Sequence, residues 1–214
     1  HKIETVSGWG VRLLNPVWNY ANRLSGSNAQ QPEQGLTAYG RDFLQRMEEL
    51  SIYVDVSHLS DAGFWDVVRL SRRPVVASHS NSRVMCDVPR NLTDDQLRAI
   101  RDLDGVVGLN SFNIFVDHDP AKQTVENLAR HAEHMIDIMG IDHVGCGFDF
   151  FEFIEDEETM GSMAASSTPA VKGMDDASQI PNLFKVFEKM GLSQEERDKI
   201  ARLNFQAVVK KTIG

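Results

Sequence analysis

The chain has 214 residues, 42% of them hydrophobic and 25% charged, which is the make-up of a globular protein with enough apolar mass for one core. Its 31 acidic residues outweigh 22 basic ones, for a net charge of −9. Lys and Arg form only short pairs such as Arg72-Arg73 and Lys210-Lys211, which argues against a phosphate-binding surface and a nucleic-acid partner. Cys86 and Cys146, with no CxxC pair, build neither a disulfide framework nor a thiolate zinc knuckle. A reducing, cytoplasmic setting is therefore expected, and no apolar run reaches the roughly 20 residues of a membrane-spanning helix.

The first residues read as the end of a helix leading into a strand at Val11–Trp18. Thr37 then caps a helix over FLQRMEEL, and a second strand is predicted at Tyr53–His58. Ser60 opens the helix FWDVVRL, and the strand Pro74–His79 follows. Thr93 with Gln96 forms a capping box ahead of LRAI and the strand Gly105–Phe112. A helix over about Thr124–Met139 carries Leu128, Ala132, Met135 and Met139 on one stripe, and the last strand is His143–Phe150. From Phe151 to about Ser178 an acidic run and the stretch GSMAASS read as a long loop. Two terminal helices close the chain, Ile180–Met190 and Gln194–Thr212, the second opened by a Ser193/Glu196 capping box.

Short β-rich runs alternating with helices specify an α/β fold with a parallel sheet. Several runs (VVAS, VVGL, HVGCGF) are nearly continuous in apolar or small residues, as expected when helices cover one face and a barrel interior the other. The reading is a (β/α)8 TIM-type barrel, with residues 1–214 as one partial barrel domain plus C-terminal helices. Five strands cover roughly the last five βα units, and the missing strands are expected from the same or another segment. A doubly wound sheet is the alternative, but its GxGxxG turn is absent.

In a parallel barrel the reactive groups sit at the C-terminal strand ends. Those ends carry Trp18 and Asn19, Asp55 and His58, His79, Asn110, and Asp149. Adjacent strands lie only about 4.8 Å apart, so His58 and His79 are within reach of one metal ion. A nucleophilic Ser78 or Ser80 beside His79 is the weaker alternative: there is no GxSxG elbow, and sequence neighbours on a strand face opposite ways.

The stretch VDVSHLSDAGFWDVVRLSRRPVVASHSNSRVMCDVPRNLTDDQLRAI, followed by GIDHVGCGFDF, resembles the membrane (renal) dipeptidase family of zinc peptidases. The resemblance runs from WGVRLLNPVWNYANRLSGS to the LNF of the C-terminal helix. It implies a (β/α)8 barrel of the metal-dependent hydrolase kind, whose two zinc ions share a carboxylate and a hydroxide that attacks the peptide bond of a dipeptide. It makes His58 and His79 ligands of one zinc and Arg90 the grip on the substrate's terminal carboxylate, with Asn91 beside it. Asp149 becomes the proton-handling or amine-binding group. Trp18 stands where some members have His and shapes the pocket. Phe151 and Glu152 stand where the family commonly has an acidic residue and Gly. The family's first-strand His-x-Asp pair and its bridging glutamate have no counterpart, Glu4 reading as a solvated helix residue. A catalytically incomplete dipeptidase-like barrel and a mononuclear metal amidohydrolase are therefore carried as alternatives, and the sequence is compatible with a homodimer.

Three further features receive plain readings. His131 and His134, at i and i+3 on a helix, read as packing or surface histidines, Cys86 as inert, and EFIEDEE as a solvated loop without the ligand spacing of a calcium site.

Overall fold

The computed structural model describes residues 2–150 and 170–213. Helix α1 (Lys2–Gly8) leads into β1 (Leu13–Leu14), and four strand–helix alternations follow. They are α2 (Ala38–Glu49), β2 (Tyr53–Val54), α3 (Asp61–Leu70), β3 (Val76–Ala77), α4 (Asp94–Asp102), β4 (Val106–Leu109), α5 (Val125–Met139) and β5 (Val144–Cys146). Helices α6 (Ile180–Lys189), α7 (Gln194–Asp198) and α8 (Asn204–Ile213) end the chain.

All five strands fall inside the segments expected to hold them, and every paired neighbour is parallel. Strands β1 and β2 form one sheet, and β3, β4 and β5 another, with β4 central. A parallel bridge between Asp55 and Val76, with Val56 N donating to Val76 O at 2.8 Å, links the two. The described strands thus form two short parallel sheets rather than a closed eight-stranded barrel.

The strands are shorter than expected because polar side chains take over the amides at their C-terminal ends. The Asp55 carboxylate accepts from Ser57 N and Ser78 N, both at 3.0 Å. Asn81 Oδ1 accepts from Asn110 N at 3.0 Å, and Asn110 Oδ1 from Phe112 N at 2.7 Å. These bonds satisfy backbone donors without a neighbouring strand. Two residues beyond β1, Pro16 has no N–H to continue a ladder.

Helix starts follow the local chemistry. Thr37, Ser60 and Thr124 each accept a backbone N–H three residues on, and Thr93/Gln96 and Ser193/Glu196 form complete capping boxes. The α5 stripe of Leu128, Ala132, Met135 and Met139 is wholly buried, as are Phe64 of α3 and Leu97 and Ile100 of α4. Each large side chain so buried contributes on the order of 1.5–3 kcal/mol. On the other strand face, Tyr53, Val76 and Val106 pack with Val208 and Phe205 of α8, and Tyr53 Oη donates to Val208 O at 2.6 Å.

The expected single helix Gln194–Thr212 is interrupted by a π-turn at Lys199–Leu203. The wider turn carries Ile200 into the core and presents Asn204, whose Nδ2 donates to Ile141 O and Val144 O at 2.7 Å each. Tertiary bonds thus compensate the irregularity. Of the long segment after β5, residues 151–169 with the acidic run and GSMAASS lie outside the described residues. Its end is anchored, Val171 and Met174 being fully buried and Lys172 exchanging backbone hydrogen bonds with Gln123 and Val125.

Strand spacing near the site depends on two residues without a Cβ. A methyl group on Gly108 or Gly147 would overlap the carbonyl oxygen of Ser78. Gly147→Ala is therefore expected to cost about 1–3 kcal/mol, read as a lower urea unfolding midpoint with an unchanged m-value.

Candidate metal centre

His58 lies between β2 and the α3 cap Ser60, and His79 lies two residues beyond β3. Arg90 precedes the α4 cap, Asp149 follows β5, and Trp18 follows β1. All five reach one cavity of about 860 Å³ at the C-terminal strand ends. Its wall also includes Asp55 and the apolar residues Phe112, Ile114 and Phe115.

The two imidazoles converge. His58 Nε2 and His79 Nε2 are 2.9 Å apart, with ring centroids 5.0 Å apart. Two zinc–nitrogen bonds of tetrahedral geometry would hold such nitrogens roughly 3.3 Å apart, so a small adjustment admits one cation between them. Asp149 Oδ2 is 4.0 Å from His79 Nε2 and accepts from Asn110 Nδ2 at 3.4 Å. Asp149 holds a left-handed backbone conformation, φ 64°, of the kind that concentrates at functional sites.

Electrostatics favour the uncharged form of both rings. Burial, reinforced by the Arg90 charge and by His79, pushes His58 down to about 2. Burial and Arg90 likewise lower His79, with Asp149 and Asp55 opposing. Both rings are thereby kept neutral, the form that binds a metal. His58 Nδ1 is buried with no hydrogen-bond partner among the described residues. Among the described residues no cluster of three or more His, Cys, Asp or Glu side chains is placed to hold a metal. His58 and His79 alone could therefore supply only part of a ligand set for a cation in this cavity.

Arg90 sits over the Phe115 ring, 5.3 Å from its centroid. It donates to Ser57 O and, at 3.2 Å, to His79 O, so it ties together the two loops that carry the histidines. Burial lowers it to about 10, which leaves it cationic at neutral pH at the cavity wall. Trp18 is half-exposed at the cavity wall. Asn91 does not line the cavity. It is buried, and its Nδ2 donates to Cys86 O and Phe115 O at 2.9 and 2.8 Å.

Sequence reasoning named Asp55 as a strand-end residue and gave it no role. The structure makes it the acceptor for the hydroxyls of both Ser57 and Ser78. The expectation that Ser78 and His79 face apart also fails, since Ser78 Oγ is 2.6 Å from His79 Nδ1. The Ser78 hydroxyl donates to Asp55, and Ser78 is not among the residues lining the cavity. The spacing D-x-S-H followed by S-H was the signal available for this arrangement. Glu4 is removed from the site, its carboxylate paired with Arg46 of α2 at 2.8 Å.

The family described as membrane dipeptidase (peptidase family M19) matches residues 1–213. The chain belongs to this family. An uncharacterised Klebsiella pneumoniae protein encoded in the 5′ region of pqqA is 37% identical over 210 residues, covering 94% of this chain and 72% of its own length. A dipeptidase of Claviceps purpurea is 30% identical, covering 83% of this chain and 38% of its own. The crystal structure of a Rhodobacter sphaeroides metallopeptidase, liganded with a phosphinate mimic of the dipeptide L-Ala-D-Ala, is 32% identical with a TM-score of 0.85. That match covers 99% of this chain and 58% of the other. The chain thus spans about half the length of several family relatives, and its α/β fold is that of M19 metallopeptidases. Among the described residues no helix is long and apolar enough to cross a membrane.

His131 is a packing residue, accepting from Ser82 N at 3.2 Å and lying 2.8 Å from Val116 O, while His134 pairs with Asp94. Cys86 is buried and pushed up to about 11, which agrees with an inert thiol. Burial lowers His131 from 6.5 to about 4. The unfolded chain accepts protons from about pH 6.5 downward that the folded state refuses. The stability tied to neutral His131 is complete above that pH and is lost as pH falls to about 4. The expected result is a urea midpoint that drops from pH 7 to pH 5, with a slope that flattens in His131→Gln by up to about 1.4 kcal/mol per pH unit.

Proposed function

We propose that the protein is a zinc-dependent dipeptidase that hydrolyses the peptide bond of dipeptides, and that this chain supplies the C-terminal five strand–helix units of a (β/α)8 barrel. The observation that carries the reading is the convergence of His58 Nε2 and His79 Nε2 at 2.9 Å in the cavity that also holds Arg90 and Asp149. The family match and the dipeptide-mimic ligand of the Rhodobacter relative support it.

In this reading His58 and His79 would hold one of the two ions expected of the family. A bound zinc supplies Lewis acidity and a nucleophilic water at neutral pH. The residues of the chain do the rest. The free edge of the Arg90 guanidinium receives the terminal carboxylate of the substrate through paired N–H donors, and a buried cation with one such partner excludes longer peptides that lack a free carboxylate there. Asp149, which lines the same cavity as Arg90, holds the amine or passes a proton to the nitrogen of the breaking bond. Trp18, Phe112 and Phe115 wall the substrate from bulk water. Asn91 keeps the Arg90 loop in place through the carbonyls of Cys86 and Phe115.

The test is dipeptide hydrolysis by the complete protein with zinc. A chelator should abolish activity and added zinc restore it. Asp149→Asn should lower kcat by roughly 10²–10⁴-fold, while Arg90→Lys should act mainly by raising KM. A complete, zinc-loaded protein that splits no dipeptide would end the proposal.

A further inference from the structure

The polar network behind His79 is asymmetric in a way that fixes where protons sit. Asp55 is buried, and its carboxylate accepts from Ser57 N, Ser57 Oγ, Ser78 N and Ser78 Oγ. A hydroxyl has one proton. Ser57 gives its own to Asp55 Oδ1 at 2.6 Å, and its oxygen accepts from His79 N at 3.1 Å. Ser78 gives its own to Asp55 Oδ2. The Ser78 oxygen, 2.6 Å from His79 Nδ1, can then offer that ring nitrogen only a lone pair. His79 must carry its proton on Nδ1, and its Nε2 presents a lone pair to the cavity.

The consequence for His58 follows. Its Nε2 lies 2.9 Å from the His79 Nε2 lone pair, so it is the donor of that bond, and its buried Nδ1 is the acceptor, with no partner among the described residues. The two histidines therefore hold opposite tautomers in the arrangement seen.

We propose that Asp55 and Ser78 are positioning residues that fix the His79 tautomer through the chain Asp55–Ser78–His79, making His79 the prepared ligand and His58 the ligand that must rearrange. A cation held by both Nε2 atoms would require the His58 proton on Nδ1, so His58 would have to change tautomer and turn its Nδ1 toward an acceptor, while His79 would keep the tautomer it already has. The inference rests on the metal-site reading for its purpose, but the tautomers themselves follow from the hydrogen bonds alone. Loss of a carboxylate or hydroxyl that orients a ligating His lowers metal affinity by roughly 10–100-fold.

Two measurements on the full-length protein test it. In the metal-free wild type, 15N-edited histidine spectra should show His79 protonated at Nδ1 and His58 at Nε2, and zinc should move the His58 proton to Nδ1 without altering His79. His79 protonated at Nε2 would overturn the proposal. Zinc affinity, measured by competition with a chromophoric chelator, should fall roughly 10–100-fold in Ser78→Ala and Asp55→Asn, and Ser78→Thr should restore most of it. Folded Ser78→Ala and Asp55→Asn variants that bind zinc as the wild type does would also overturn it. Should either variant fail to fold, the wild-type spectra still decide. A wild type that binds no zinc while showing these tautomers would defeat the metal-site reading and leave the relay standing.

Discussion

Four hydrogen bonds to one buried carboxylate, that of Asp55, hold the end of β2 against the end of β3. A carboxylate removed from water is costly unless its lone pairs are met, and here two amides and two hydroxyls meet them. The same bonds cap the amides where the ladder stops, so the strands can splay without stranding polar groups. What the carboxylate joins are the two loops that carry His58 and His79. The convergence of the imidazoles is therefore a consequence of how the sheet ends.

Arg90 closes the same joint from the other side. It reaches the carbonyls of Ser57 and His79, each adjacent to or part of a histidine loop, while stacking on Phe115. Its charge lowers both imidazoles, as burial does, and the carboxylates of Asp55 and Asp149 keep it from being an isolated buried cation. The cavity thus holds neutral nitrogens next to a fixed positive charge. The guanidinium that would receive a substrate carboxylate in the proposed reading is thus also a structural tie between the two histidine loops, so substituting it disturbs that tie.

Packing explains why these ends stay in register. Gly108 and Gly147 let β4 and β5 crowd the Ser78 carbonyl, and α8 seals the opposite strand face through Tyr53, Val76, Val106 and Val208. The π-turn before α8 gives Asn204 its reach to the carbonyls of Ile141 and Val144. Membership of the membrane dipeptidase family places this assembly among metallopeptidases.

The sequence by itself determined the order of strands and helices, because caps such as Thr93/Gln96, apolar stripes such as that of α5 and β-rich runs such as VVGL are local signals that neighbours three or four residues apart can write. It also marked His58, His79, Arg90 and Asp149 through strand-end position and a family pattern. Strand length, the π-turn, the anchoring role of Asp55 and the Ser78 contact were decided only in three dimensions. Each depends on which groups from distant segments arrive to satisfy a given donor or acceptor. A lone Asp two residues before a Ser carries no sign of which strand its second oxygen will meet, and a histidine's tautomer is set by a hydroxyl whose own proton another chain segment has already claimed.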